Sequence, residues 1–305
     1  NAITYNNLTL GGTGTYTLPA SDVTVRGNLV VTTGATVTKS ASNKLIFAKG
    51  GGGSQSITGN ATNSDLGIIQ ISENSGDTTL TLGSSVKMTS ITIDATQTFT
   101  PGAYTVTLTG SGSTFVNNGT FDGTSSTVVL TNTGTVDING STATTTFNNF
   151  TATTSGTIVR FLAGNTYGFT GVLTLSDVSV TSSTGSSTWT INHQGTESIT
   201  NTTVAWSACH GSSTEITALT SAGNVDGTNN GVCWKFTSTI SISGTVYQSG
   251  VETGAFNCSS ANITLHVSVN GGTNIDGTCS AADGTFTIAS VTDPGAANIP
   301  IVVFS

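Results

Sequence analysis

The stretch Thr114 to Leu175, TFVNNGTFDGTSSTVVLTNTGTVDINGSTATTTFNNFTATTSGTIVRFLAGNTYGFTGVLTL, most constrains what this chain can fold into. Short runs of Val, Ile, Leu, Phe and Thr alternate there with Gly, Asn, Ser and Asp. Each run has the period of two and the β-branched enrichment of a strand, and no apolar set recurs at helical spacing over the ten or so residues a helix needs. The same texture runs from Asn1 to about Phe236: VTVRGNLVVTTGATVT at 23–38, KLIFA at 44–48, GVLTLSDVSVTSS at 171–183, STWTINHQG at 187–195. Phrases such as G-x-L-T-L recur at roughly twenty to twenty-five residues, a period that signals stacked coils rather than a closed barrel. A single coil cannot bury its inward face, so stacking creates one continuous core and leaves two ends to be capped. At a strand spacing of about 4.8 Å, roughly ten coils predict a rod on the order of 50 Å long. Small inward Thr, Val, Ala and Ser with occasional Phe are expected inside. Asn-Gly corners such as Asn117, Asn118, Gly119 and Asn139, Gly140 supply positive φ, and Asn ladders are expected between coils. The Gly50 to Gly53 tetrad reads as a loop or hinge, since no helix with a Lys follows to make a phosphate cradle.

After Lys235 the pattern changes. Residues 237–305 hold strands separated by turns eight to twelve residues apart, the spacing of a small β-sandwich. The expected fold is therefore all-β: a parallel β-helix (solenoid) over 1–236 followed by a small immunoglobulin-like β-sandwich over 237–305.

Charged residues are 7% of the 305, seven Lys+Arg against fifteen Asp+Glu. So few cations cannot neutralise a phosphate backbone, which excludes nucleic acid and disfavours anionic membranes. No apolar run reaches the length of a transmembrane helix, and the chain opens at Asn1 with neither a Met nor a signal-like segment, the pattern of a processed N-terminus. The cysteines fall as Cys209 and Cys233, then Cys258 and Cys279. Four cysteines allow three connectivities; the natural pairing is local, 209 with 233 and 258 with 279, and two bridges suit an extracellular, cell-surface location. Cys209, His210 and Cys233 lack the close ligand spacing of a zinc site.

Trp189, Trp206 and Trp234 fall where a solenoid must seal its C-terminal end, and are expected to form an end-cap plug rather than a sugar-stacking platform. The densest ionisable set is His193, Glu197, His210 and Glu215. A glycosidase needs two convergent carboxylates, and a lyase a base with clustered acids. Here Arg160 is the one cation between Met88 and Trp234, and Asp94, Asp122, Asp137 and Asp177 are scattered. No catalytic residue, cofactor or metal is expected. Asp226, Asn229 and Asn230, or Asn270, Asn274 and Asp276, carry oxygen ligands that suit calcium, but Asp-Gly and Asn-Gly read first as turns. Sequons occur at Asn7, Asn60, Asn118, Asn139, Asn149, Asn201, Asn257 and Asn262, so glycosylation depends on the host.

Two resemblances rest on these residues. ITYNNLTLGGTGTYTL, the 144–175 stretch and WTINHQGTESITNTTVAW look like coils of parallel β-helix surface proteins of the haemagglutinin and adhesin type. ISGTVYQSG, ITLHVSVNGG and CSAADGTFTIASV resemble immunoglobulin-like modules of the carboxypeptidase-regulatory type. Such modules usually continue past a strand like IPIVVFS, whereas this chain stops at Ser305. A sandwich lacking its last strand is a template for strand addition. Residues 1–10, with Ile3, Tyr5, Leu8 and Leu10, are the candidate donor, and Ile299, Ile301 and Val303 the candidate acceptor. Head-to-tail contacts of this kind build open filaments. The expectation is a structural filament subunit whose partner is a copy of itself, with an adhesin for glycan or host protein second and a carbohydrate-active enzyme third.

Overall fold

The computed structural model describes residues 3–39, 42–59, 64–72, 76–237, 239–247, 254–260, 263–269, 274–279, 282–292 and 301–304. Ile299 and Asn270 lie outside them. The chain divides into two units, Asn1–Ala218 with Ala222–Trp234, and Leu219–Ser221 with Lys235–Ser305.

The first unit is a parallel β-solenoid of about ten turns. Its longest sheet has eleven parallel strands, which begin at residues 3, 23, 44, 68, 90, 112, 135, 158, 179, 203 and 225. Successive coils are thus 20 to 24 residues long. A second sheet of six strands runs from Leu8–Leu10 to Thr120–Phe121, and a third begins at Val86–Met88 and ends at Ser207–Cys209. Alternation sorts each strand into an inward and an outward set. In the long sheet Val23, Leu45, Ile69, Ile91, Phe115, Ile138 and Phe161 stack in register, all buried. Inward valines are frequent, as expected, but Leu, Ile and Phe fill much of the interior where Thr, Ala and Ser are also expected, and most threonines face outward.

A continuous train of rings threads the later coils. Phe99, Phe121, Phe115, Phe147, Phe169, Phe150, Phe161, Tyr167 and Trp189 are linked by centroid separations of 4.4 to 6.3 Å. Edge-to-face and tilted pairs at such distances are the favoured ring arrangements.

Corners leave backbone N–H groups that no sheet satisfies, and asparagine supplies the acceptor. Asn7 Oδ1 accepts from the Asn28 N–H, Asn28 Oδ1 from Ser56, Asn118 Oδ1 from Ser141 and Asn149 Oδ1 from Val172. The ladder is thus carboxamide to backbone rather than carboxamide to carboxamide. The corner leading into the long sheet is left-handed in six successive coils, at Gly112, Gly134, Gly156, Asp177, Asn201 and Gly223, with φ from 47° to 120°. Glycine reaches that region without strain, and Asp and Asn are the L-residues that tolerate it best.

In the second unit Thr239–Thr245 pairs antiparallel with Thr285–Thr292, and Ile263–Val269 lies between Ile275–Cys279 and Ile301–Phe304, antiparallel to both. Its core is Cys258, Leu265, Val267, Cys279, Ile288 and Val291, with Cys258 bonded to Cys279. Ile288 lies over Gly277, where a Cβ would come within 2.3 Å of it.

Candidate functional site

Two interior columns of the third sheet change chemistry near the C-terminal end of the solenoid. One runs Phe147, Phe169, His193; the other runs Val106, Val128, Phe150, Leu173, Glu197. A histidine and a glutamate therefore stand where earlier coils place Phe and Leu. His193 Nε2 is 3.6 Å from Glu197 Oε2, with side-chain exposures of 0% and 16%. Glu197 Oε1 accepts the Thr217 N–H at 2.9 Å. The Thr214 hydroxyl donates to the His193 carbonyl and lies 3.1 Å from Nδ1, so its lone pair can take the Nδ1 proton. Nε2 has no hydrogen-bond partner among the described atoms. An imidazole facing a carboxylate is the raw material of acid–base chemistry, yet a ring with no exposed surface reaches no substrate as it stands. The arrangement instead ends the aromatic train in a polar joint, tied to the next turn through Ser213, Thr214 and Thr217.

His210 and Glu215, grouped with this pair by sequence, stand exposed outside it. His210 Nδ1 meets Ser212 Oγ at 2.7 Å in a local turn. Trp189 lies in the ring train against Phe161 and Tyr167. Trp234 is buried, its Nε1 donating to Ser207 Oγ at 2.9 Å, while Trp206 is half-buried in the left-handed region at φ 58°. Beside them Cys209 is bonded to Cys233.

A groove of about 450 Å³ opens along the left-handed corner, lined by Gly156, Ile158, Asp177, Ser179, Asn201 and Thr203 among others. Asp177 Oδ1 accepts from Asn201 Nδ2 at 3.1 Å and Oδ2 from Ser176 Oγ at 2.8 Å. A carboxylate, a carboxamide and hydroxyls along one furrow form a mixed set of hydrogen-bond donors and acceptors.

The oxygen-rich turns are engaged with their own neighbours. Asp226 accepts from Asn230 Nδ2, Asn230 Oδ1 accepts the Ser207 N–H, and Asn229 sits at φ 55°. Asp276 pairs with His266 across the sheet at 2.6 Å. Arg160 forms a bidentate ion pair with its in-register neighbour Asp137, at 2.6 and 2.9 Å. Sequence reasoning missed Lys39, which is buried and donates through Nζ to the Pro19 and Ser21 carbonyls at 2.7 and 2.8 Å. Burial lowers its pKa, opposed by Asp22. No local pattern marks it.

Ile3 and Tyr5 sit in Ile3–Tyr5, the terminal strand of the long sheet, and Leu8 and Leu10 in the terminal strand of the second. Ile301 and Val303 sit in Ile301–Phe304, which ends the three-stranded order of the second unit. No family model matches the chain, and neither does any curated protein or solved structure.

Proposed function

We propose that this chain is an extracellular, non-enzymatic structural subunit that assembles head to tail, the edge of one subunit's first coil completing the immunoglobulin-like C-terminal module of the next. The carrying observation is that, among the described residues, Ile3–Tyr5 and Ile301–Phe304 each end the strand order of their sheet. A terminal strand presents a row of backbone donors and acceptors ready for pairing. Ile3 and Tyr5 bond inward, through the Ile3 N–H to Asp22 and the Tyr5 carbonyl to the Arg26 N–H. Thr4, alternating with them, aims its own groups at the open side. The donor thus stays in its coil while it pairs. Two disulfides are compatible with an oxidising location.

The test is electron microscopy of the purified chain beside Thr4→Pro, which removes one edge donor and leaves the inward bonds. Filaments from the parent chain and short rods from the variant are expected. Filaments unchanged in Thr4→Pro, or none from the parent, overturn the proposal. A second reading, an adhesin for glycan, is favoured by the Asp177–Asn201 groove; sugar binding lost in Asp177→Ala without any filament would select it.

A further inference from the structure

The outward face of the third sheet is a two-dimensional lattice. One column reads Thr107, Val129, Thr151, Thr174, Ser198, in unbroken register over five strands; in the column beside it Thr105, Thr127 and Asn149 are in register with one another, and Val172 with Thr196. The residues between them, such as Val106, Val128, Phe150 and Leu173, are buried. A third column one step on carries Thr109 and Ser176, whose hydroxyls donate to Asp65, at 3.4 Å, and Asp177, at 2.8 Å. Those carboxylates, and Lys87 in register beside Thr107, mark the margins. The two open columns contain no charged residue and no aromatic ring.

We propose that this face binds ice. Neighbouring strands repeat at about 4.8 Å and alternate residues along a strand at about 6.6 Å, so the hydroxyls and methyls form a grid with spacings of a few ångström in both directions. A surface periodic in two directions is complementary across its whole area only to a partner that is also periodic in two directions. Threonine suits that task because its β-branch restricts χ1, and the methyl and hydroxyl are presented from a nearly fixed frame. The packed core behind the sheet supplies the rigidity. A protein partner would be held by aromatic and Arg anchors, and a crystalline polysaccharide by ring stacking; the two columns offer neither. A charged partner finds no complementary charge. An ordered water lattice needs none, only hydroxyls in register and apolar methyls between them. This inference stands apart from the filament reading.

The experiment is thermal hysteresis and ice-crystal shaping by the purified full chain, with Thr151→Tyr and Thr174→Tyr in the grid and Thr24→Tyr on the outward face of the long sheet as the control. Circular dichroism and melting verify each fold, and Thr151→Val and Thr151→Ser separate hydroxyl from methyl should a tyrosine misfold the chain. Shaped crystals and a depressed growth temperature are expected for the parent and for Thr24→Tyr, with severalfold loss in the grid tyrosine variants. A parent chain that leaves ice unshaped overturns the proposal, as does equal loss in Thr24→Tyr. Sedimentation with crystalline cellulose or chitin while ice grows unaltered also overturns it, and reassigns the grid to a polysaccharide face.

Discussion

Phe147 is the ring on which the interior train depends most, and replacing it tests whether coils are held locally. It has no exposed surface and meets Phe115, Phe121, Phe150 and Phe169 at centroid distances of 5.4, 5.4, 5.2 and 5.8 Å. Buried Phe→Ala substitutions cost about 3–5 kcal/mol, combining lost transfer energy with the cavity left behind. Four ring partners, each pair contributing about 0.5–1.5 kcal/mol beyond area, place Phe147→Ala at the upper end, about 5 kcal/mol. At about 2–4 °C per kcal/mol for a unit of this size, the melting temperature falls by about 10–20 °C. Stacked coils contact only their neighbours, so the loss should be local. Hydrogen exchange should show protection falling most in Gly112–Asn117, Thr144–Ala152 and Thr166–Phe169, and least in Val23–Val25. A cost below about 1 kcal/mol, or an equal loss of protection from first coil to last, refutes the reasoning.

Removing Cys258–Cys279, which closes a separation of 21 residues, should destabilise the second unit by about 3 kcal/mol; guanidinium unfolding of the double serine variant measures it. Burial raises the Tyr167 pKa from 10.0 to about 12, so between those values the unfolded chain has lost a proton that the native state keeps, and stability falls as pH rises. Tyr167→Phe should flatten that alkaline limb in urea midpoints taken from pH 9 to about pH 12. His193→Leu removes the Nδ1 partner of the Thr214 hydroxyl and should cost about 1 kcal/mol, whereas His193→Phe with Glu197→Leu continues the apolar columns and should cost less than the two single changes added; a double-mutant cycle by thermal melts decides.

Much of the solenoid was legible because its two determinants are local. Alternation within KLIFA announced Lys44–Phe47, and the recurrence of such runs announced stacking. Corners hidden inside runs were less legible. The stretch 171–183 reads as one strand but breaks into Val172–Ser176 and Ser179–Ser182 around Asp177 at φ 57°; Asp tolerates that region better than Ser or Val, but a lone Asp in an alternating run does not by itself announce a corner. The ring train was invisible for a different reason. Phe99 and Phe121, or Phe147 and Phe169, are neighbours only through coil register, and coil length drifts between 20 and 24 residues. His193 and Glu197 looked like members of a loose ionisable set. Their inward orientation depends on Phe169 aligning with His193 and Leu173 with Glu197, which strand parity within one segment does not give. The local cysteine pairing was readable because each coil or hairpin returns the chain to its neighbour after about one repeat.

The interior and corners of this solenoid are dictated by burial and backbone geometry, so information about a partner has to reside where folding leaves a choice. The outward positions are that place. A solvent-facing strand position accepts Lys, Glu, Gln or Arg with little effect on the fold, and charged side chains there are a usual guard against edge pairing and aggregation. This chain nonetheless carries charge at only 7% of its positions and sets threonine in register where it could have scattered charge. β-propensity favours threonine at such positions, but it favours valine, isoleucine and tyrosine equally and implies no agreement between coils. Agreement across five strands, with the charges displaced to Lys87, Asp65 and Asp177 at the margins, is a property of the surface rather than of any strand. The same lack of charge leaves the strands Ile3–Tyr5 and Ile301–Phe304, which end their sheets among the described residues, with little electrostatic protection against pairing.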